Sequence, residues 1–83
     1  MGYSLAIMVI IKKYGNRRLY DSSSSRYINL EDLAKIIREG EQVQVQDART
    51  GEDLTRSVLL QVVMETQGGF IGFPEGFLHR IIR

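Results

Sequence analysis

The sequence predicts a small α+β fold, a β-hairpin-containing domain in the order β-β-(β)-α-β-(β)-α with a short amphipathic C-terminal helix. Three observations carry that prediction. Residues 6–14, AIMVIIKKY, are dense in β-branched side chains and run into Gly15-Asn16, a strand followed by a turn. Leu30, Leu33, Ala34 and Ile37 recur at i, i+3, i+4 and i+7, which is one face of a helix. Gln42, Gln44 and Gln46 alternate with Val43, Val45 and Asp47, the period of a half-buried strand with a glutamine face to solvent.

Each element has its own local reason. Gly15-Asn16 reads as a two-residue type II′ hairpin turn, because Gly takes the first positive-φ position. The return strand is then residues 17–21, with Leu19 on one face and Arg18 and Tyr20 on the other. Ser22 to Ser25 make a polar turn, too short to link domains. Residues 26–28 are a short extended segment. Asn29 is a helix N-cap, with Asp32 three residues on as the capping-box acid. The helix covers residues 30–39. Glu31 and Asp32 sit at its positive end, Glu31/Lys35 is an i,i+4 pair, Arg38 lies near its C-terminus, and Gly40 follows the cap.

After the glutamine strand, residues 49–52 turn about Gly51. Asp53 or Thr55 caps a second helix whose inner face is Val58, Leu59, Val62 and Val63. Leu60 and Met64 widen that face, so the helix is either deeply buried or shared with a partner chain. It stops at Gly68-Gly69. Pro74 suits the first turn of a third helix. Phe77, Leu78, Ile81 and Ile82 give it an apolar stripe that still runs at Arg83. The expected organisation is therefore a domain over residues 1–67, then a Gly/Phe-rich connector and the start of a helical tail over residues 68–83, the chain being cut within that next helix.

Composition excludes several function classes. The chain has 83 residues, no cysteine and one histidine, so disulfides, thiolate metal sites and His-rich clusters are out. No apolar run approaches the ~20 residues of a membrane span. A cytoplasmic chain with no cofactor, no metal and no membrane partner is expected. His79 has only Glu75 as a local acid and is read as structural or exposed. The serines lack a nucleophile-elbow context. The glycines at 68, 69, 72 and 76 match neither a P-loop nor a dinucleotide fingerprint. The acid pairs 31-32 and 52-53 sit where helices begin, and capping explains them. No catalytic residue is assigned.

Charge is informative only by position. The net charge is +1, yet residues 12–26 carry +4, residues 27–75 carry −5, and the last eight residues carry +2. The basic stretch sits on the predicted hairpin. Lys12, Lys13, Tyr14, Asn16, Arg17, Arg18, Tyr20, Arg26 and Tyr27 place cations, aromatics and one amide within 16 residues. A two-stranded ribbon of this kind enters a DNA major groove, with cations on phosphates or guanine edges and Asn16 on an adenine edge. The plainer reading is a solvated basic hairpin whose cations pair with the acids of residues 31–53.

Three blocks carry a family resemblance: Lys12-Lys13-Tyr14-Gly15-Asn16-Arg17-Arg18-Leu19-Tyr20-Asp21, then Arg26-Tyr27-Ile28-Asn29-Leu30-Glu31-Asp32-Leu33, then Thr50-Gly51-Glu52-Asp53-Leu54-Thr55-Arg56. In this order, over residues 10–65, they closely resemble the N-terminal DNA-binding domain of bacterial polyhydroxyalkanoate (PHA/PHB) accumulation regulators, the PHA synthesis repressors. The resemblance implies a repressor of PHA-related genes, notably those of granule-coating phasins, released from DNA by the PHA polymer. The chain ends where members of that family continue.

Two function classes follow. In the first, the chain is a DNA-binding regulator module acting as a homo-oligomer. Lys12, Lys13, Arg17 and Arg18 anchor phosphates, and Asn16, Arg18 or Arg26 read base edges, with Tyr14 and Tyr20 in the same patch. In the second, residues 55–83 bind a protein partner or the PHA granule surface, and the hairpin only solubilises. Val58, Leu59, Val62, Val63, Phe77, Leu78, Ile81 and Ile82 are the expected oligomer or partner surface, and Phe70, Phe73 and Phe77 either join it or complete the core.

Overall fold

Among the described residues, four strands form one sheet, and three helices cover one of its faces. The computed structural model describes residues 8–15, 17–69 and 71–82, with only the backbone for Leu78, Arg80 and Ile82. In chain order the elements are β1 (Met8–Tyr14), β2 (Arg18–Asp21), β3 (Arg26–Ile28), α1 (Leu30–Arg38), β4 (Gln42–Asp47), α2 (Thr55–Glu65) and α3 (Glu75–Ile82). The sheet order is β3-β2-β1-β4. β1 pairs antiparallel with β2 and parallel with β4, and β2 pairs antiparallel with β3.

The first hairpin corrects the expected turn. Tyr14 stands opposite Arg18, so the connection is three residues, 15–17, not two. Gly15 does take a positive φ, 64°. Of the two turn residues, Asn16 lies outside the described residues, as do residues 6 and 7 of the predicted first strand. The extra residue matters because a one-residue slip turns a strand over. Here it puts Lys13 across from Leu19 and Lys12 across from Tyr20.

The serine run is an ordered turn. The Asp21 carboxylate accepts the Ser23 and Ser24 N–H groups at 2.8 and 3.3 Å. Ser25, with φ 58°, closes the turn by donating its N–H to the Asp21 carbonyl. α1 forms as its sequence demands. Asn29 and Asp32 make the reciprocal capping box, at 2.8 and 3.0 Å. Glu39 is the C-cap, and Gly40 follows in the left-handed region at φ 91°.

Alternation sorts the sheet. Val9 and Ile11 of β1, Leu19 of β2, Ile28 of β3, and Val43 and Val45 of β4 all face the helices and are buried. They meet Leu33, Ala34 and Ile37 of α1, Val58, Leu59 and Val62 of α2, and Phe77 and Ile81 of α3 in one core. Burying each Val, Leu or Ile side chain contributes about 1.5–3 kcal/mol before entropy is counted.

α2 begins differently from expectation. Leu54 occupies the N-cap position and makes no side-chain cap. Asp53 instead accepts the Thr55 N–H at 2.9 Å and the Thr55 hydroxyl at 2.6 Å. The Thr55 oxygen in turn accepts the Val45 N–H at 2.9 Å, and the Leu54 N–H reaches the Val45 carbonyl at 2.8 Å. Thr55 is thus a buried rivet between the helix start and the outer border of β4. Replacing it by Val keeps the shape and strips the Val45 N–H of its acceptor, which costs about 1–3 kcal/mol. Thr55→Ser keeps the oxygen and loses about 0.8 kcal/mol with the methyl group. Urea unfolding of the three chains checks this, and a Val variant as stable as the parent refutes it.

Candidate nucleic-acid interface

Among the described residues, no helix covers the second face of the sheet. By alternation it presents Met8, Ile10, Lys12 and Tyr14 from β1, Arg18 and Tyr20 from β2, Tyr27 from β3, and Gln42, Gln44 and Gln46 from β4. Its strand residues include no carboxylate, and Asp53, bridged to Gln46 at the β4 border, engages Thr55 with its own. The two strand aspartates, Asp21 and Asp47, stand opposite Ile11 and Lys13 and so lie on the helix side.

The polar groups of this open face are held by one another. Tyr27 is 53% exposed, and Tyr14 and Tyr20 meet its ring edge-on at centroid distances of 6.2 and 5.1 Å. The Arg18 guanidinium lies over the Tyr27 ring at 4.7 Å. That contact fixes the cation against an aromatic base and leaves its N–H groups for other acceptors. The Lys12 Nζ donates to the Gln46 Oε1 at 3.0 Å.

The eight expected DNA-contact residues therefore divide. Lys12, Tyr14, Arg18 and Tyr20 converge on the open face. Arg17 is exposed in the connection at the hairpin tip. Lys13 lies on the helix side, where it borders a polar groove with Arg17, Glu31 and Glu65. Arg26, opposite Asp21, shares that side. Asn16 is outside the described residues. Tyr27, although part of the basic-aromatic constellation, was not among the expected contacts, yet it is the ring on which the others rest. Its signal was register: only the β2–β3 pairing sets Tyr20 beside it.

The expected partner surface is largely interior, which corrects that reading. Val58, Leu59, Val62, Phe77 and Ile81 are buried in the chain's own core, and Val63 is half-buried against it. Leu78 and Ile82 are described in backbone only. Phe73 packs on Phe77 at 4.2 Å and is half-buried, so these two rings complete the core, and Phe70 lies outside the described residues. Among the described residues of this half, the large apolar side chains left exposed are Leu60, Met64 and Ile71, at 39%, 80% and 78%.

Three arginines of the acidic stretch also have identifiable places. Arg38 donates to the Gln67 and Ile71 carbonyls at 2.9 and 3.1 Å and covers the Phe73 ring at 4.6 Å. A Cβ at Gly68 or Gly72 would stand 3.3 Å from its side chain. Arg56 donates to the Ile81 carbonyl at 2.9 Å. Arg49 sits in the loop after β4, beside the hairpin tip, bordering a shallow groove with Lys13, Tyr14 and Gly15. Among the described residues no cluster of acids and histidine could hold a metal ion, and no helix is long and apolar enough to cross a membrane.

Comparison with known proteins adds a family. A model described as the PHB/PHA accumulation regulator DNA-binding domain matches residues 10–69. The chain is 47% identical over 75 residues to an uncharacterized protein of Allochromatium vinosum, covering 89% of this chain and 49% of that protein. It is 45% identical over 75 residues to an uncharacterized protein in the phbA 5′ region of Thiocystis violacea, covering 89% and 54%. The chain thus spans about half the length of these curated relatives. No solved structure matches it.

The loop beside the hairpin tip has a measurable signature. Asp47 accepts the Thr50 and Arg49 N–H groups at 2.9 and 2.8 Å, and those two bonds hold its carboxyl below the usual aspartate range. A depressed folded value means that the stabilisation is present above the unfolded value and is lost as pH falls through the folded one. An NMR titration of the Asp47 carboxyl carbon should show a midpoint below that of aspartate in an unstructured peptide. A midpoint at or above the peptide value contradicts the loop geometry.

Proposed function

The chain belongs to the PHB/PHA accumulation regulator DNA-binding domain family, and we propose that it is the DNA-binding module of a cytoplasmic repressor that occupies promoter DNA of PHA- and phasin-related genes. The family is one of regulatory DNA-binding domains. The repressor role, the target promoters and the residues in contact with DNA are our reading. One observation carries the site: an open sheet face whose strands present Lys12 and Arg18 with a cluster of tyrosines. Arg17 borders it at the hairpin tip, and Lys13 and Arg26 supply further phosphate contacts from the helix side.

Phosphate contacts dominate such binding and make it salt-dependent. The near-neutral net charge limits non-specific adhesion while the basic end draws the polyanion. The proposed DNA-binding domain spans residues 1–67. Residues 68–83 are the connector and tail, whose third helix docks back on the core through Phe77 and Ile81. In the Arg17→Ala/Arg18→Ala double variant the affinity for a promoter duplex should fall, and the log–log salt slope should drop by about two. Loss of the Arg18–Tyr27 contact costs stability no more than about 1 kcal/mol. Anisotropy titrations over a salt series check this, and an unchanged affinity and slope refute it.

A second reading is favoured by Leu60, Met64 and Ile71. These exposed side chains on residues 55–83 offer an apolar surface to a second copy of the chain, to a protein partner or to the PHA granule. Truncation after residue 67 is a poor test, because it removes Phe77 and Ile81 from the core. The Met64→Lys/Ile71→Lys variant should lose self-association in light scattering and capture by PHA granules, with DNA affinity unchanged. If self-association and granule capture both persist in the double variant, this surface is not the site.

A further inference from the structure

The glutamines of β4 have no part in the contacts assigned above, yet they share the open face with the cations. The parallel register sets Gln46 beside Lys12 and Gln44 beside Ile10. Gln46 is half-buried, and its Oε1 accepts the Lys12 Nζ at 3.0 Å. An ammonium only donates, so this bond determines which end of the carboxamide is oxygen. The amide nitrogen is the remaining end, and no described residue accepts from it. Lys12 likewise keeps two N–H donors with no described acceptor. Two neighbouring side chains on neighbouring strands thus form a unit that offers donors outward. Asp53, the bridge neighbour of Gln46, directs its carboxylate to the Thr55 N–H and hydroxyl.

We propose that Lys12 and Gln46 together read the major-groove edge of a guanine. The proposal rests on the DNA-binding reading and goes beyond it in naming a base and a residue outside the basic hairpin. Guanine displays two adjacent acceptors in the major groove, N7 and O6. Adenine displays N7 beside an amine that itself donates, and cytosine displays an amine donor. A pair of donors satisfies guanine and sets donor against donor on the other two. The Lys12 bond to Oε1 adds to the discrimination, because it occupies a lone pair of the oxygen that would otherwise accept from adenine. Lys12 then does more than neutralise a phosphate: it orients the amide that specifies the base. Gln44, whose β1 neighbour is Ile10, has no cation to orient it and belongs outside the reading pair.

The test is a selection from a pool of duplexes with a randomised core, followed by anisotropy on the selected duplex and on single-base replacements. The parent chain should select a site containing a guanine whose replacement by adenine weakens binding by about tenfold to a hundredfold. The same loss should follow replacement by 7-deazaguanine, which lacks the N7 acceptor. Gln46→Ala should bring that ratio close to one while keeping the salt slope, since no phosphate contact is removed. Gln44→Ala should retain the ratio. A far-UV thermal melt verifies folding, and Gln46→Met, which keeps the length of the side chain, replaces the alanine variant if that one unfolds. Retention of the guanine ratio in the Gln46 variant, or a selected site without guanine, overturns the proposal with DNA binding intact. Absence of any salt-dependent duplex binding by the parent chain overturns the DNA-binding reading itself.

Discussion

Lys13 stands opposite Leu19 across the first hairpin, and that one pairing decides which side of the sheet each neighbouring side chain occupies. The strand period is two, so a slip of a single residue would turn Lys12 and Tyr14 toward the helices and Ile11 toward water relative to β2. The core forbids the slip. Val9, Ile11 and Leu19 must share a side to meet Leu33, Val58 and Val62. The same requirement, propagated through β4, gathers the glutamines with Lys12. The basic-aromatic face is thus a by-product of hydrophobic sorting as much as a feature in its own right.

Much of this was legible from local chemistry. The capping box at Asn29, the 3.6 period of α1 and the strict alternation of residues 42–47 each state their element without help from the rest of the chain. The order of the elements and the identity of the basic patch were readable for the same reason. The hairpin length was not, because Gly15-Asn16 suits a two-residue turn as well as it opens a three-residue one, and only pairing decides. That error moved Lys13 to the wrong company. The role of Tyr27 and the meeting of Lys12 with Gln46 depend on contacts 7 to 34 residues apart, which no local pattern encodes. The helix faces went astray in a different way. The apolar stripe of α2, and Phe77 and Ile81 of the α3 stripe, do face inward, but a small chain uses such stripes to cover itself first.

Position in sequence was also a poor guide to what a cation does. Arg38 and Arg56 spend their donors on backbone carbonyls of the connector and of α3. Their guanidinium groups replace the disulfide that a cysteine-free chain of this size lacks, tying Gln67, Ile71, Phe73 and the last helix to α1 and α2. Both keep their positive charge, but their donors are committed to the connector and α3 and not to the open sheet face.

The borders of the sheet carry a consequence of a different kind. On one side, Leu54, Thr55 and Glu52 occupy backbone groups of β4. On the other, β3 is only three residues long and opens with an arginine. Neither border offers the long row of free amides on which another chain could lay a strand. A protein meant to concentrate on DNA, where local crowding is high, is thereby guarded against fibre growth. Copies that meet there are left to touch through side chains, in contacts that can be undone.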